Sequence, residues 1–496
     1  MDIGGNRRSG VLTIPAASGS TTAEVNSATE HELRRDLRRP HVLAIVVGAI
    51  VGTGIYIRPA SIAQFLGSPT LIIGIWLVGG MLTLCGALTY ARLTVLVPGT
   101  GGEYLFLRTT LGRRPAFLYG WMRLTIGPAV IAGMAVACTV FLNDIVPFEG
   151  TWIHAVLPWT GGNRFVDFGP RQAIAVTLIL GLAWINTKGV GRAGSFQLLV
   201  TFCKVAGLLL LLAAIALFSH SHTEQTLLLS PTPYTPTLAY GGALLAVMAS
   251  YAGWHNVAIM GGEVRDAERT IPWALAAGIL VVAALYVAAN EAFLHTLSFH
   301  EIATANSTKY PDAPSVATSA VNRSLGVRAA TVLPLLFAIS ALGTAHCNLL
   351  VIPRVFLSMA RDGLLPTFIT RVSPRSGTPN RAIWMASIIA ATFAAVGTYD
   401  RLTNMTTFAY LVFYALTTVG FLWSCRRTSS NARGKSFWVA IIVANVFLFG
   451  TIALIAVSIA RGSTEVLTAT ALICFGFPIV VAVEWLHSRR VERLAA

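Results

Sequence analysis

Twelve apolar runs divide the chain, at approximately 41–66, 70–97, 115–143, 170–188, 194–218, 238–262, 272–296, 328–358, 382–398, 402–424, 436–460 and 466–487. A helix needs about 20 apolar residues to cross the hydrocarbon of a bilayer. Each run therefore reads as a membrane span, numbered 1 to 12 here, and the fold class as an all-α polytopic membrane protein. Composition agrees: 55% of the 496 residues are hydrophobic and 11% charged, with a mean hydropathy of +0.68, where a soluble domain carries about 25% charge. The first 37 residues are polar, with Ser, Thr and Gly, and read as a disordered cytoplasmic tail rather than a signal peptide.

The positive charges set the topology. Of the 36 Lys and Arg residues, 26 fall on the side that holds both termini and 8 on the other, with Arg123 and Lys204 inside spans. Positive charge marks the cytoplasmic side, so both termini are placed there, 488–496 included. The net charge of +15 sits in short loops beside anionic lipid and is not read as nucleic-acid binding. The six cysteines, all in or at the ends of spans, lack metal-ligand spacing. No cofactor is expected, and without a phosphate-binding loop the energy source is a gradient rather than ATP.

Two spans are interrupted at mid-depth. In span 1 Gly52-Thr53-Gly54 stands inside an apolar run, and glycine weakens a helix by roughly 1 kcal/mol relative to alanine. A break in hydrocarbon is tolerated only where the freed backbone groups face a polar cavity or ligand. The second half-helix then starts near Thr53 and points its positive end at the break, a place for a carboxylate. The competing reading is a Gly-x-Gly face for close helix packing. Span 6 is interrupted by Ser250-Tyr251-Ala252-Gly253-Trp254-His255-Asn256. Matching breaks five spans apart point to an inverted repeat, 38–218 against 238–424, with the site between them and spans 11 and 12 (436–487) added.

Few ionisable groups lie at depth. Lys204, in span 5, is some ten residues from the cytoplasmic end, so a functional role is the default. A structural cation donating to the carbonyls of a broken neighbour is the other reading. Arg123 reads as snorkelling to the headgroups, and His255 as a neutral, hydrogen-bonded imidazole. The hydroxyls of span 10 read as interhelical glue. The charged run Glu263 to Arg269 reads as a polar loop.

Together these motifs resemble the L-type amino acid transporters of the amino acid–polyamine–organocation superfamily. Gly52-Thr53-Gly54-Ile55-Tyr56 is similar to their Gly-Ser-Gly-Ile-Phe break. Pro98 to Tyr104, Tyr251 to Trp254, Glu263 to Pro272 and Ala360 to Pro366 match in order, over about residues 37–487. The resemblance implies a LeuT-type fold with 12 helices in a 5+5 inverted repeat and a substrate site at the two breaks. The substrate carboxylate would meet the N–H groups of Thr53, Gly54 and Ile55. Its ammonium would meet carbonyls of Ile50, Ala249, Ser250 and Ala252, with Trp254 beside them. Lys204 matches the lysine that takes the place of a sodium ion in sodium-independent members, its partners being the carbonyls around Ile50 and the Ser340 hydroxyl. Ala249 stands where many members carry an aromatic gate. The loop between spans 3 and 4 lacks the cysteine by which animal members bond a heavy chain, so no such partner is expected. The implied function is sodium-independent exchange of neutral L-amino acids across a prokaryotic plasma membrane. Proton-coupled uptake through Lys204 or His255 is the alternative. A channel or a membrane enzyme is less well supported.

Overall fold

The computed structural model describes residues 32–148, 150–156, 165–219, 235–307, 309–310, 312–396, 399–427 and 434–495. The expected tail lies outside them up to residue 31. Its last residue, Leu37, is fully buried and forms a parallel bridge with Val264: Leu37 N–H donates to Glu263 O at 3.0 Å, and Arg265 N–H to Leu37 O at 2.9 Å.

Helices dominate. Among the described residues nine are long and apolar enough to cross a membrane: Arg39–Leu66, Pro69–Leu96, Arg113–Asn143, Val190–Phe218, Ala267–Thr296, Val327–Arg361, Met405–Arg426, Lys435–Ala460 and Thr464–Trp485. The other three expected spans fall on shorter helices, Pro170–Thr187, Pro236–Ser250 and Asn380–Val396. Proline opens several of them, at Pro69, Pro128, Pro170 and Pro236, where its missing N–H costs no hydrogen bond. A two-stranded antiparallel pair, Ile153–Val156 with Phe165–Phe168, lies between spans 3 and 4.

The surface is the inverse of a soluble protein's. Met81, Phe202, Leu210 and Phe449 are each 69–70% exposed, while Glu103, Arg123, Lys204, His255, Glu263 and Arg354 are fully buried. Apolar patches on that scale need an apolar neighbour, and a bilayer supplies it. Packing follows a regular rule. Span 1 lies on span 6, span 2 on span 7, span 3 on span 8 and span 4 on span 9.

Two sequence expectations are refined here. Of the span 10 hydroxyls, those of Tyr410 and Tyr414 bond across to Arg123 and His255, as interhelical glue should, while smaller hydroxyls bond within their own helix. Thr418 donates to Tyr414 O at 2.7 Å, Ser387 to Ile383 O at 2.8 Å and Thr451 to Phe447 O at 2.7 Å. The run after span 6 is not simply a solvated loop. Glu263 is fully buried and accepts two bonds from Arg354 of span 8, at 2.8 and 2.9 Å. Breaking a buried pair strands the partner's charge, at about 3–5 kcal/mol. Glu263→Gln is therefore expected to lower the melting temperature of the purified protein markedly. An unchanged melting curve would show that the pair adds nothing to stability.

Candidate functional site

The helix of span 1 stops at Ile50 and restarts at Gly54. That of span 6 stops at Ser250, with a short half-helix, Asn256–Ile259, beyond the interruption. The two breaks touch. A Cβ on Gly54 would lie 3.1 Å from Ser250 Oγ, and one on Gly253 would lie 2.9 Å from Ala49 O. Gly253 also has φ +108, a region that side chains resist. Both positions need glycine for the approach.

The half-helix 54–66 presents its N-terminal end to this junction, and the helix 236–250 its C-terminal end. Thr53, Gly54 and Ile55 N–H groups donate to no backbone carbonyl, as expected of a first turn. Opposed half-charges of about +0.5 and −0.5 suit a zwitterion, carboxylate at one end and ammonium at the other. Gly52, Thr53, Gly54, Ala249, Ala252 and Thr344 are partly exposed here, although buried residues surround them.

The carbonyls divide the work. Ile50 and Ser250 already accept from one hydroxyl, that of Tyr286 in span 7, at 2.9 and 3.2 Å. Ala249 O accepts from the N–H groups of Ala252, at 3.4 Å, and Tyr251. A carbonyl has two lone pairs, so Ile50 O and Ser250 O each keep one for a ligand. Tyr286 was not singled out from sequence. A lone hydroxyl in an apolar span was the only trace it left.

Lys204 is fully buried at the carbonyl end of the first half-helix. Its Nζ donates to Gly48 O at 2.8 Å and Val51 O at 2.7 Å, with Ser340 O at 3.3 Å and Thr344 Oγ1 at 3.5 Å. A cation there also answers the negative end of the helix dipole. The carbonyls of Gly48 and Val51 flank Ile50, the region expected, while Ile50 O itself serves Tyr286. One expected partner needs correction. Ser340 meets Lys204 through its backbone carbonyl, while its hydroxyl donates to Val51 O at 3.3 Å. Thr344 was missed as a partner.

Other expected residues fall elsewhere. Trp254 is 1% exposed and enclosed by Tyr90, His255, Tyr414 and Phe447, which leaves a substrate contact without a geometric basis. Ile55 is fully buried, so only its backbone can serve. His346 bonds Gln197 Oε1 at 2.7 Å and is absorbed in packing. Among the described residues no cluster of His, Cys, Asp and Glu has the makings of a metal site.

Broken helices set end to end inside a membrane-crossing bundle, with an uncharged cleft between them, define a multi-pass carrier of small solutes. The chain belongs to the amino acid permease family, which matches residues 37–479. It is similar to the serine/threonine exchanger SteT of Bacillus subtilis, 28% identical over 78% of this chain and 82% of that protein. The human cystine/glutamate transporter is 26% identical over 86% of this chain and 81% of its own length. The human large neutral amino acids transporter small subunit 2 is 28% identical, over 78% and 69%. The protein is an amino acid transporter and not an enzyme.

Proposed function

We propose that the protein is a sodium-independent exchanger of neutral L-amino acids, working by alternating access in a plasma membrane with both termini cytoplasmic. One observation carries the reading. The Lys204 ammonium occupies the carbonyls freed by the first break, so a metal cation there would meet an uncompensated like charge. The side chains that meet the cleft, Thr53, Ala249, Ser250 and Ala252, are uncharged, which favours a neutral substrate. The methyl of Ala249 leaves room for a long one. Packing of spans 1 to 4 on spans 6 to 9 supports twelve spans in a 5+5 inverted repeat. With all six cysteines in or at the ends of spans, the transporter works without a disulfide-linked heavy chain. A relative named as an exchanger, SteT, favours exchange over net uptake.

The test is uptake of labelled amino acid into substrate-loaded proteoliposomes with choline replacing sodium. Rates are expected to stay within about twofold, since no bound sodium contributes charge at the break. A loss beyond about tenfold, or uptake into empty vesicles equal to that into loaded ones, would overturn the reading.

A further inference from the structure

A second cluster of buried ionisable groups lies on the face read as cytoplasmic, around Glu103. The turn at 99–102 docks on the half-helix 256–259. Gly101 N–H donates to Ile259 O at 3.0 Å, and a Cβ on Gly102 (φ +53) would lie 2.8 Å from Ile259 N. This docking sets Glu103 beside His255, and both are fully buried. Glu103 Oε1 accepts from the Tyr90 hydroxyl at 2.5 Å, and His255 Nδ1 pairs with the Tyr414 hydroxyl at 2.6 Å. Their remaining atoms, Glu103 Oε2 and His255 Nε2, face each other at 3.9 Å, and neither has a hydrogen-bond partner.

The surroundings are titratable and charged on every side. Span 2 gives Tyr90. Span 3 gives Tyr119, whose hydroxyl faces the carboxyl without reaching hydrogen-bond geometry, and Arg123. The second break gives His255 and Asn256, and span 10 gives Tyr410 and Tyr414. Arg123 donates to Tyr410 Oη at 2.6 Å and to Asn256 Oδ1 at 3.2 Å. It is fully buried, so it does not snorkel as the sequence suggested. The gap between Oε2 and Nε2 is too wide for a direct bond. Leaving two buried polar atoms unpaired costs about 1–3 kcal/mol each. A proton added to the carboxyl neutralises it and lowers the cost of leaving Oε2 unpaired.

We propose that Glu103 and His255 form a proton-binding site on the cytoplasmic side, where a proton taken from that water loosens the inner closure and speeds exchange. The inference rests on the exchange reading. Burial pushes the Glu103 carboxyl above the usual carboxylate range, against the opposing pull of the Tyr119 and Tyr90 hydroxyls and the charge of Arg123. The site therefore loads as the cytoplasm acidifies and empties as pH rises. Loading cancels the charge that holds the Tyr90 hydroxyl and attracts Arg123, and so loosens the contact of spans 2 and 3 with the turn at 99–102.

The experiment uses full-length protein in liposomes loaded with L-serine, following entry of labelled L-serine at fixed external pH. Exchange is expected to rise roughly threefold or more as internal pH falls from about 8 to about 5.5. Glu103→Gln imitates the protonated carboxyl and should run at the acid rate at both values. His255→Gln leaves the carboxyl in place and should displace the response by at least about one pH unit. A flat wild-type profile, or either variant keeping the wild-type profile, would overturn the proposal. Absence of wild-type exchange at every pH would count against the exchange reading alone. Trp254 then gives a transport-free readout, its ring lying 5.8 Å from the imidazole. The pH-dependent part of its emission, taken as wild type minus Trp254→Phe, should vanish in Glu103→Gln. Persistence of that titration would equally sink the site.

Discussion

Replacing Gly54 by leucine is expected to abolish substrate binding while leaving an inserted, folded protein. A Cβ at this position already meets Ser250 Oγ at 3.1 Å and Ser250 Cβ at 3.4 Å. The rest of a leucine side chain has nowhere to go except the junction of the two breaks. It would fill the space facing the N–H groups of Thr53, Gly54 and Ile55. The loss should be at least about a hundredfold in affinity, or roughly 3 kcal/mol. Ligand-induced thermal stabilisation across a panel of amino acids reads it directly, with size-exclusion chromatography reporting the fold. Normal binding by the leucine variant would place the substrate somewhere other than between the half-helices.

Lys204→Met should be costly in a different way. Methionine has a similar length, so packing against span 1 is largely kept. What disappears is the donor for the carbonyls of Gly48 and Val51. Val51 O retains the Ser340 hydroxyl, but Gly48 O is left without its partner. At about 1–3 kcal/mol for a stranded buried group, a loss of that size is expected, read as a lower melting temperature. Exchange should fall to background, because the carbonyl end of the first half-helix loses the cation that fixes it. A variant as stable and as active as the wild type would remove Lys204 from the machinery.

The large features of this molecule were legible because they are written in periodic or compositional form. Apolar runs gave the spans, and Gly54 and Gly253 marked places where the two interrupted helices meet. Lys204 was conspicuous as a lone ammonium among leucines and valines. Its exact partners were not, because which carbonyls a break frees depends on where the first half-helix ends, at Ile50. Tyr286 and Thr344 were not picked out as partners, since a single hydroxyl on an apolar helix carries no mark of which neighbour it faces. Glu103 and Glu263 looked like loop charges. Their burial comes from docking of the 99–102 turn and of span 8, contacts between residues 91 and more positions apart in the case of Glu263 and Arg354. Trp254 erred in the other direction. It is adjacent to the break in sequence, but its ring turns into an aromatic wall.

The hydroxyl of Tyr286 has one proton and two claimants, Ile50 O on span 1 and Ser250 O on span 6. A shared proton of this kind acts as a mechanical clutch. If either interrupted helix tilted by itself, the distance to one oxygen would lengthen and the proton would fall wholly to the other, leaving a bare acceptor in a dry interior. The least costly displacement is one in which both half-helices travel with the tyrosine as a single lever. Span 7, apolar and silent in any motif search, is then the element that keeps the two halves of the cleft in step.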